Sequence, residues 1–198
     1  MSSAFSDVGL LLVNAIGSLV LLVILLRFLL QLVRADFYNP ISQFIVKFTN
    51  PLLIPLRRII PGFGGLDIAS LLLAYLAQVI IYGLLSSLNG YGLLIPHIFL
   101  WAPLGIFVLL LNIYFWGLII MIVASWIAPN SYNPVLILIN QILEPVIRPI
   151  RSKMPDLGGL DLSPMVIMLG LLIIYRIVIV PLAIMLQFPN FIRLSVGF

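Results

Sequence analysis

Two aspartates stand at matching places in this chain. Asp67 and Asp161 each follow a Gly-Gly-Leu turn, and each precedes a long apolar run. A carboxylate in that position can cap the helix it introduces, because it accepts from orphan backbone N–H groups at the positive helix end. Two such carboxylates at one membrane mouth can also form a site for a cation or a proton. The two readings are compatible. Arg27 and Arg176 lie inside apolar runs. An ionised side chain at the centre of a span costs roughly 2.5–3.5 kcal/mol, so each needs a partner or a route to the interface. Arg27 is seven residues before Arg34, about 10 Å inside the end of its run. It is expected either to snorkel or to pair with Asp67 or Asp161. Arg176 lies 15 residues past Asp161, about 22 Å further along a helix. It reads as an anchor at the far interface beside Tyr175, with a cationic site facing the bundle as the alternative.

Other chemistry is sparse. There is one histidine, His97, and no cysteine. That excludes thiolate chemistry and a zinc site with the usual several ligands. Gly62-Phe63-Gly64-Gly65 is not followed by Gly-Lys-Ser/Thr and is no phosphate loop. No cofactor, metal or enzymatic activity is expected. Asn14, Gln78 and Asn112 suit hydrogen bonds between helices.

The elements that carry these residues follow from composition. Of 198 residues, 63% are apolar and only 8% charged. A soluble fold of this size could not hide so much apolar surface, since much of any folded surface meets water. The net charge of +4 is too small to argue for nucleic acid. Four runs are long enough to span a bilayer as helices, at about Val8–Val33, Ile68–Leu88, Pro103–Ala128 and Leu162–Leu186. Met1 to Asp7 lacks Lys and Arg, so the first run is read as a retained span and not a signal peptide.

Lys and Arg set the orientation. Arg34, Lys47, Arg57 and Arg58 follow the first span, and Arg148, Arg151 and Lys153 follow the third; Arg193 alone lies on the other side. The positive-inside rule places both basic segments in the cytoplasm and both termini outside it. Tyr91 and Trp101 would then belt the outer interface, and Trp126 and Tyr132 the inner one.

The chain also repeats itself at an offset of 94 residues. Asn39-Pro40 returns as Asn133-Pro134. Pro51, Pro55 and Arg57 return as Pro145, Pro149 and Arg151. Pro61, Gly64, Gly65 and Asp67 return as Pro155, Gly158, Gly159 and Asp161. From Asn39 to Asp67, 11 of 29 positions are identical without a gap. Chance matching of apolar residues would not hold prolines, glycines, Arg and Asp in register. The units are drawn at 1–95 and 96–198, each with two spans, so the repeat is parallel and not inverted.

The segment between the spans of each unit has helical spacing. Ile41, Phe44, Ile45, Phe48 and Leu52 recur in the first copy, and Val135, Leu138, Ile139, Ile142 and Val146 in the second. This predicts an amphipathic helix in the cytoplasmic interface, broken or kinked by its two internal prolines. Arg57, Arg58 and Arg151 would meet anionic headgroups at about 1 kcal/mol each.

Asn-Pro, then Glu/Asn-Pro-x3-Pro-x-Arg, then Pro-x2-Gly-Gly-Leu-Asp before a span resembles the YggT family, also called YlmG-type proteins, of bacteria and plastids. The motif occurs twice, as in two-copy proteobacterial members. The family's Arg-x3-Ser-Trp element is divided here: Arg27 is kept in the first unit, and Ser125-Trp126 in the second. The resemblance implies an inner-membrane protein linked to envelope or division organisation, to assembly or distribution of membrane complexes, or to osmotic and ion tolerance. Together these readings give an all-α protein of four transmembrane helices in two tandem repeats. The expected function is a non-enzymatic scaffold or assembly factor, with a small ion or osmolyte pathway as the alternative. Membrane lipids, other membrane proteins or a second copy of the chain are the expected partners.

Overall fold

The computed structural model describes residues 2–60, 62, 65–91, 95–127, 131–154 and 161–189, without the side chains of 2–5 and 95. They fold as α1 (Ser2–Leu32), α2 (Pro40–Ile59), α3 (Ile68–Leu88), α4 (Ile95–Ile127), α5 (Pro134–Arg151) and α6 (Ser163–Ile174). A π-helical turn at Tyr175–Ile179 then leads into α7 (Val180–Met185). Four stretches are long and apolar enough to cross a membrane: Ser6–Leu32, Ile68–Leu88, Pro96–Ile127 and Ser163–Met185. The chain is an all-α membrane protein with two spans in each of two repeats.

The repeated Asn-Pro has a local explanation. The Asn39 side chain accepts from Ile41 N at 2.9 Å, and that of Asn133 accepts from Val135 N at 2.9 Å. Each asparagine is the N-cap of its helix and each proline opens the first turn, where its missing N–H is no loss. At the other end of α1, Arg34 is left-handed at φ 52° and Ala35 N bonds Leu30 O at 2.9 Å. This closes the helix and turns the chain toward α2.

The internal prolines do not break the helices that carry them. α2 continues through Pro51 and Pro55, and α5 through Pro145 and Pro149. All four prolines lie on exposed positions, where water or headgroups can satisfy the freed carbonyls. α4 starts at Ile95 and passes through Pro103, so the third span is longer than its apolar run suggested. Pro103 leaves Phe99 O without its helical donor, and the Tyr75 hydroxyl of α3 donates to that oxygen at 3.3 Å. In the fourth span the π turn comes just before Pro181, which has no N–H to close the preceding turn.

The core lies where α1, α3 and α4 meet. Leu21, Ile24 and Leu25 pack on Ala74, with Leu109 and Ile113 against them. Toward the other end, Tyr82, Trp101 and Phe188 pack edge to face at 5.6–5.8 Å. Trp101 is therefore no interfacial belt residue. It is buried, and its indole N–H donates to Leu186 O at 2.8 Å, which ties the start of α4 to the end of α7. That carbonyl would otherwise be an orphan of the helix terminus. Tyr91, Trp126 and Tyr132 are exposed.

Close approach of α3 and α4 needs Gly105. A Cβ added there would collide with the hydroxyl of Tyr82, which is fully buried. Gly105→Leu is expected to separate these helices and lower unfolding stability by roughly 1–3 kcal/mol, the usual cost of overpacking. Denaturant titration of the purified protein, followed by far-UV circular dichroism, measures this. Gly170→Leu, where an added side chain meets open space, should leave it unchanged.

Candidate functional site

The residues with chemical potential gather at the basic end of the bundle, where each intervening helix meets the start of the next span. Asp67 caps α3, and its Oδ1 accepts from Ser70 N at 3.3 Å. Its Oδ2 accepts from Arg57 Nη2 at 2.5 Å and from the Ser70 hydroxyl. Arg57 comes from the last turn of α2 and also donates to Gln31 Oε1 of α1 at 2.8 Å. One ion pair thus joins three helices. Gly65, left-handed at φ 87°, lets the chain turn into this cap, which is why glycine suits the position.

The second repeat rebuilds the pair more loosely. Arg151 Nε and Nη2 lie 2.8 Å and 2.6 Å from Asp161 Oδ2. Oδ1 of Asp161 accepts from Ser163 N at 2.9 Å and from the Ser163 hydroxyl. Asp161 lies one residue before the N-cap position, Leu162, yet still serves the first turn of α6. Asp67 is 3% exposed and Asp161 37%, so only the first pair is shielded from solvent. Pro61, Gly64, Pro155, Gly158 and Gly159 lie outside the described residues.

For both carboxyls burial opposes ionisation, but the arginine and serine hydrogen bonds outweigh it and hold them below the usual carboxylate range. A lowered folded-state pKa contributes stability that is complete above the ordinary value of 3.8 and is lost as pH falls through the folded value. The thermal midpoint should therefore be flat from about pH 5 to 8 and fall below about pH 4. In Asp67→Asn the acid limb should shrink; melting curves across pH test this.

Arg27 does not pair as expected, since Arg57 occupies Asp67 and Arg151 occupies Asp161. Nor does it reach out to water. It is 6% exposed, its Nε and Nη1 have no partner among the described residues, and its guanidinium lies 5.4 Å from the Phe37 ring centroid. Cation–π attraction of this kind only partly replaces hydrogen bonds. Arg176 is exposed on the π turn of the fourth span. The structure thus gathers Arg27, Arg57 and Asp67 at one place, Arg151 and Asp161 at another, and leaves Arg176 apart. The Arg–Asp pairing went unread in the sequence, although the ten-residue spacing of Arg and Asp recurs in both copies and was the available signal.

A second polar group lies deeper. Asn14, Ser18, Gln78, Tyr82 and Asn112 line a cavity of about 70 Å³ between α1, α3 and α4. Gln78 is buried, and the Tyr82 hydroxyl has no hydrogen-bond partner among the described residues. These polar groups share the space with Leu21, Ile81 and Leu109, and it is large enough for water.

The comparisons with known proteins fit this geometry. A family model described as CCB3/YggT matches residues 7–88 and again residues 100–182. The chain belongs to the CCB3/YggT family. The two matches each take in one capped helix pair and its Arg–Asp bond. Among relatives, "Uncharacterized protein PA0392" of Pseudomonas aeruginosa is 52% identical over 179 residues, covering 89% of this chain and 91% of that protein. "Uncharacterized protein YggT" of Escherichia coli K12 is 39% identical over 166 residues, covering 82% and 85%. A Vibrio alginolyticus protein, "Uncharacterized protein in proC 3'region", is 39% identical over 163 residues, covering 81% and 87%. No solved structure matches the chain significantly.

Proposed function

We propose that the protein is a non-enzymatic scaffold or assembly factor of the bacterial inner membrane. The observation that carries this reading is the joining of α2 and α5 into one locked platform. Asn39 Nδ2 donates to Pro134 O at 2.7 Å, and Asp36 N donates to Gln141 Oε1 at 3.1 Å. The two Arg–Asp pairs fix the far ends of the same helices to α3 and α6. By the positive-inside rule the platform faces the cytoplasm, with both termini outside. Its polar side presents exposed Lys47, Arg58, Arg148 and Lys153, suited to anionic headgroups or to acidic surfaces of membrane partners.

An ion or osmolyte pathway is the second reading, favoured by the polar cavity at Gln78 and Tyr82. The carboxylates argue against it. Asp67 and Asp161 are each already paired with an arginine, so their charge is compensated without a bound cation.

Reconstituted liposomes separate the two. The scaffold reading expects K⁺ flux equal to that of protein-free liposomes. It also expects that Lys47→Glu/Arg58→Glu, made at normal level, fails to restore the distribution of membrane complexes in cells lacking the protein. Flux that disappears in Gln78→Leu, with folding intact, overturns the scaffold reading.

A further inference from the structure

The two repeats meet through different faces, and this leaves one face of each unused. Leu138 and Ile142 of α5 are 4% exposed and pack in one cluster with Leu30, Ala35 and Ile45 of the first repeat. Shifted by 94 residues, Leu138 and Ile142 correspond to Phe44 and Phe48 of α2. These are 62% and 48% exposed, and their rings stack on each other at 6.3 Å. A twofold relation between the repeats would have buried all four together. The plug face of the second repeat is filled by the first, while the plug face of the first repeat is free.

The matching socket is also free among the described residues. In the first repeat it holds Leu30 and Ile45. In the second, their counterparts Ala124 and Ile139 line an open groove of about 120 Å³ with Met121, Ser125, Leu136 and Asn140. Trp126 and Ile127 beside it are 80% and 79% exposed. The hydrogen bond of the seam has a spare counterpart as well. Asn133 corresponds to Asn39 and is exposed, and its Nδ2 donates to nothing among the described residues. One seam bond is not carried over, because Lys47 stands where Gln141 accepts.

The geometry points to a second copy of this chain as the occupant: the Phe44–Phe48 face of one copy plugs the Ala124–Ile139 groove of the next. The contact continues the seam already present inside the chain. A parallel repeat places plug and socket at the same membrane depth, so copies of one orientation can join. Such a head-to-tail contact closes into a ring about the membrane normal when its rotation closes. Larger apolar plugs suit the wider groove, since Phe replaces Leu and Ile on the plug while Ala replaces Leu in the socket. The inference stands on packing and is independent of the scaffold reading.

The absence of cysteine makes the test direct. Two differently tagged copies, one Phe44→Cys and the other Ala124→Cys, are co-expressed and treated in membranes with a short bis-maleimide. The in-chain equivalent, Leu30→Cys with Leu138→Cys, is the positive control. The expected result is a product carrying both tags, reduced to background when Phe48→Ser is added. Cross-linking of the control without that product would mean that lipid covers the face, and it would overturn the proposal. A Phe44–Phe44 product alone would show a symmetric contact and overturn it equally. Native mass spectrometry from nanodiscs gives a second reading. The wild type should contain several copies and Phe44→Ser/Phe48→Ser one; a wild type with one copy overturns the proposal.

Discussion

Asp67→Asn is expected to destabilise the protein by roughly 2–3 kcal/mol, while Asp161→Asn should change stability by less than about 1 kcal/mol. The two residues are the same by motif and differ by environment. Asp67 is 3% exposed and receives Arg57, the Ser70 hydroxyl and Ser70 N. Asparagine keeps the size and the capping oxygen but loses the charge that the guanidinium faces. Arg57 is itself two-thirds shielded, so its charge would be left poorly compensated. Asp161 and Arg151 are 37% and 48% exposed. Water and salt screen such a pair, and asparagine is as good a cap as aspartate. The coupling should appear in a double-mutant cycle. Arg57→Gln with Asp67→Asn should show about 2 kcal/mol of interaction, and Arg151→Gln with Asp161→Asn less than about 0.5 kcal/mol. Unfolding in mixed micelles, followed by helicity, measures both. Equal effects in the two repeats would refute the claim that shielding sets the difference.

Arg27→Met should make the protein more stable, by roughly 1–3 kcal/mol. Replacing a buried, imperfectly paired charge by an apolar side chain of similar volume is often stabilising. Arg27 is buried with Nε and Nη1 unpartnered among the described residues, and Asp67 is held by Arg57. The chain contains its own precedent, because the counterpart of Arg27 in the second repeat is Met121. The reverse change, Met121→Arg, should destabilise. A lower unfolding midpoint for Arg27→Met would show that the guanidinium has a partner the geometry does not supply. A more stable variant that no longer complements the deletion would identify Arg27 as kept for activity at the expense of stability.

Much of this molecule is legible in the chain itself. Hydrocarbon allows only structures that satisfy their own backbone, so four long apolar runs had to be helices. The Asn-Pro and Gly-Gly-Leu-Asp motifs act within a few residues of themselves, and their role as helix starts follows from local geometry. Their return after 94 residues announced two like units. What proximity in space decides was not legible. Arg57 was read toward headgroups and Arg27 toward an aspartate or the interface; the fold gives Asp67 to Arg57 and buries Arg27 against Phe37, because α2 runs back to place its last turn over the start of α3. Trp101 had the composition of an interfacial anchor and became a core residue, because α7 ends with a free carbonyl beside it. Pro51 and Pro55 read as breaks or kinks and Pro103 as the start of a span, yet the helices continue through all three, where water, headgroups or the Tyr75 hydroxyl can reach the freed oxygens. Sequence periodicity marks the apolar edges of α2 and α5 alike. Only the packing shows one edge buried and the other bare, because two sequence-similar units need not meet through the same face.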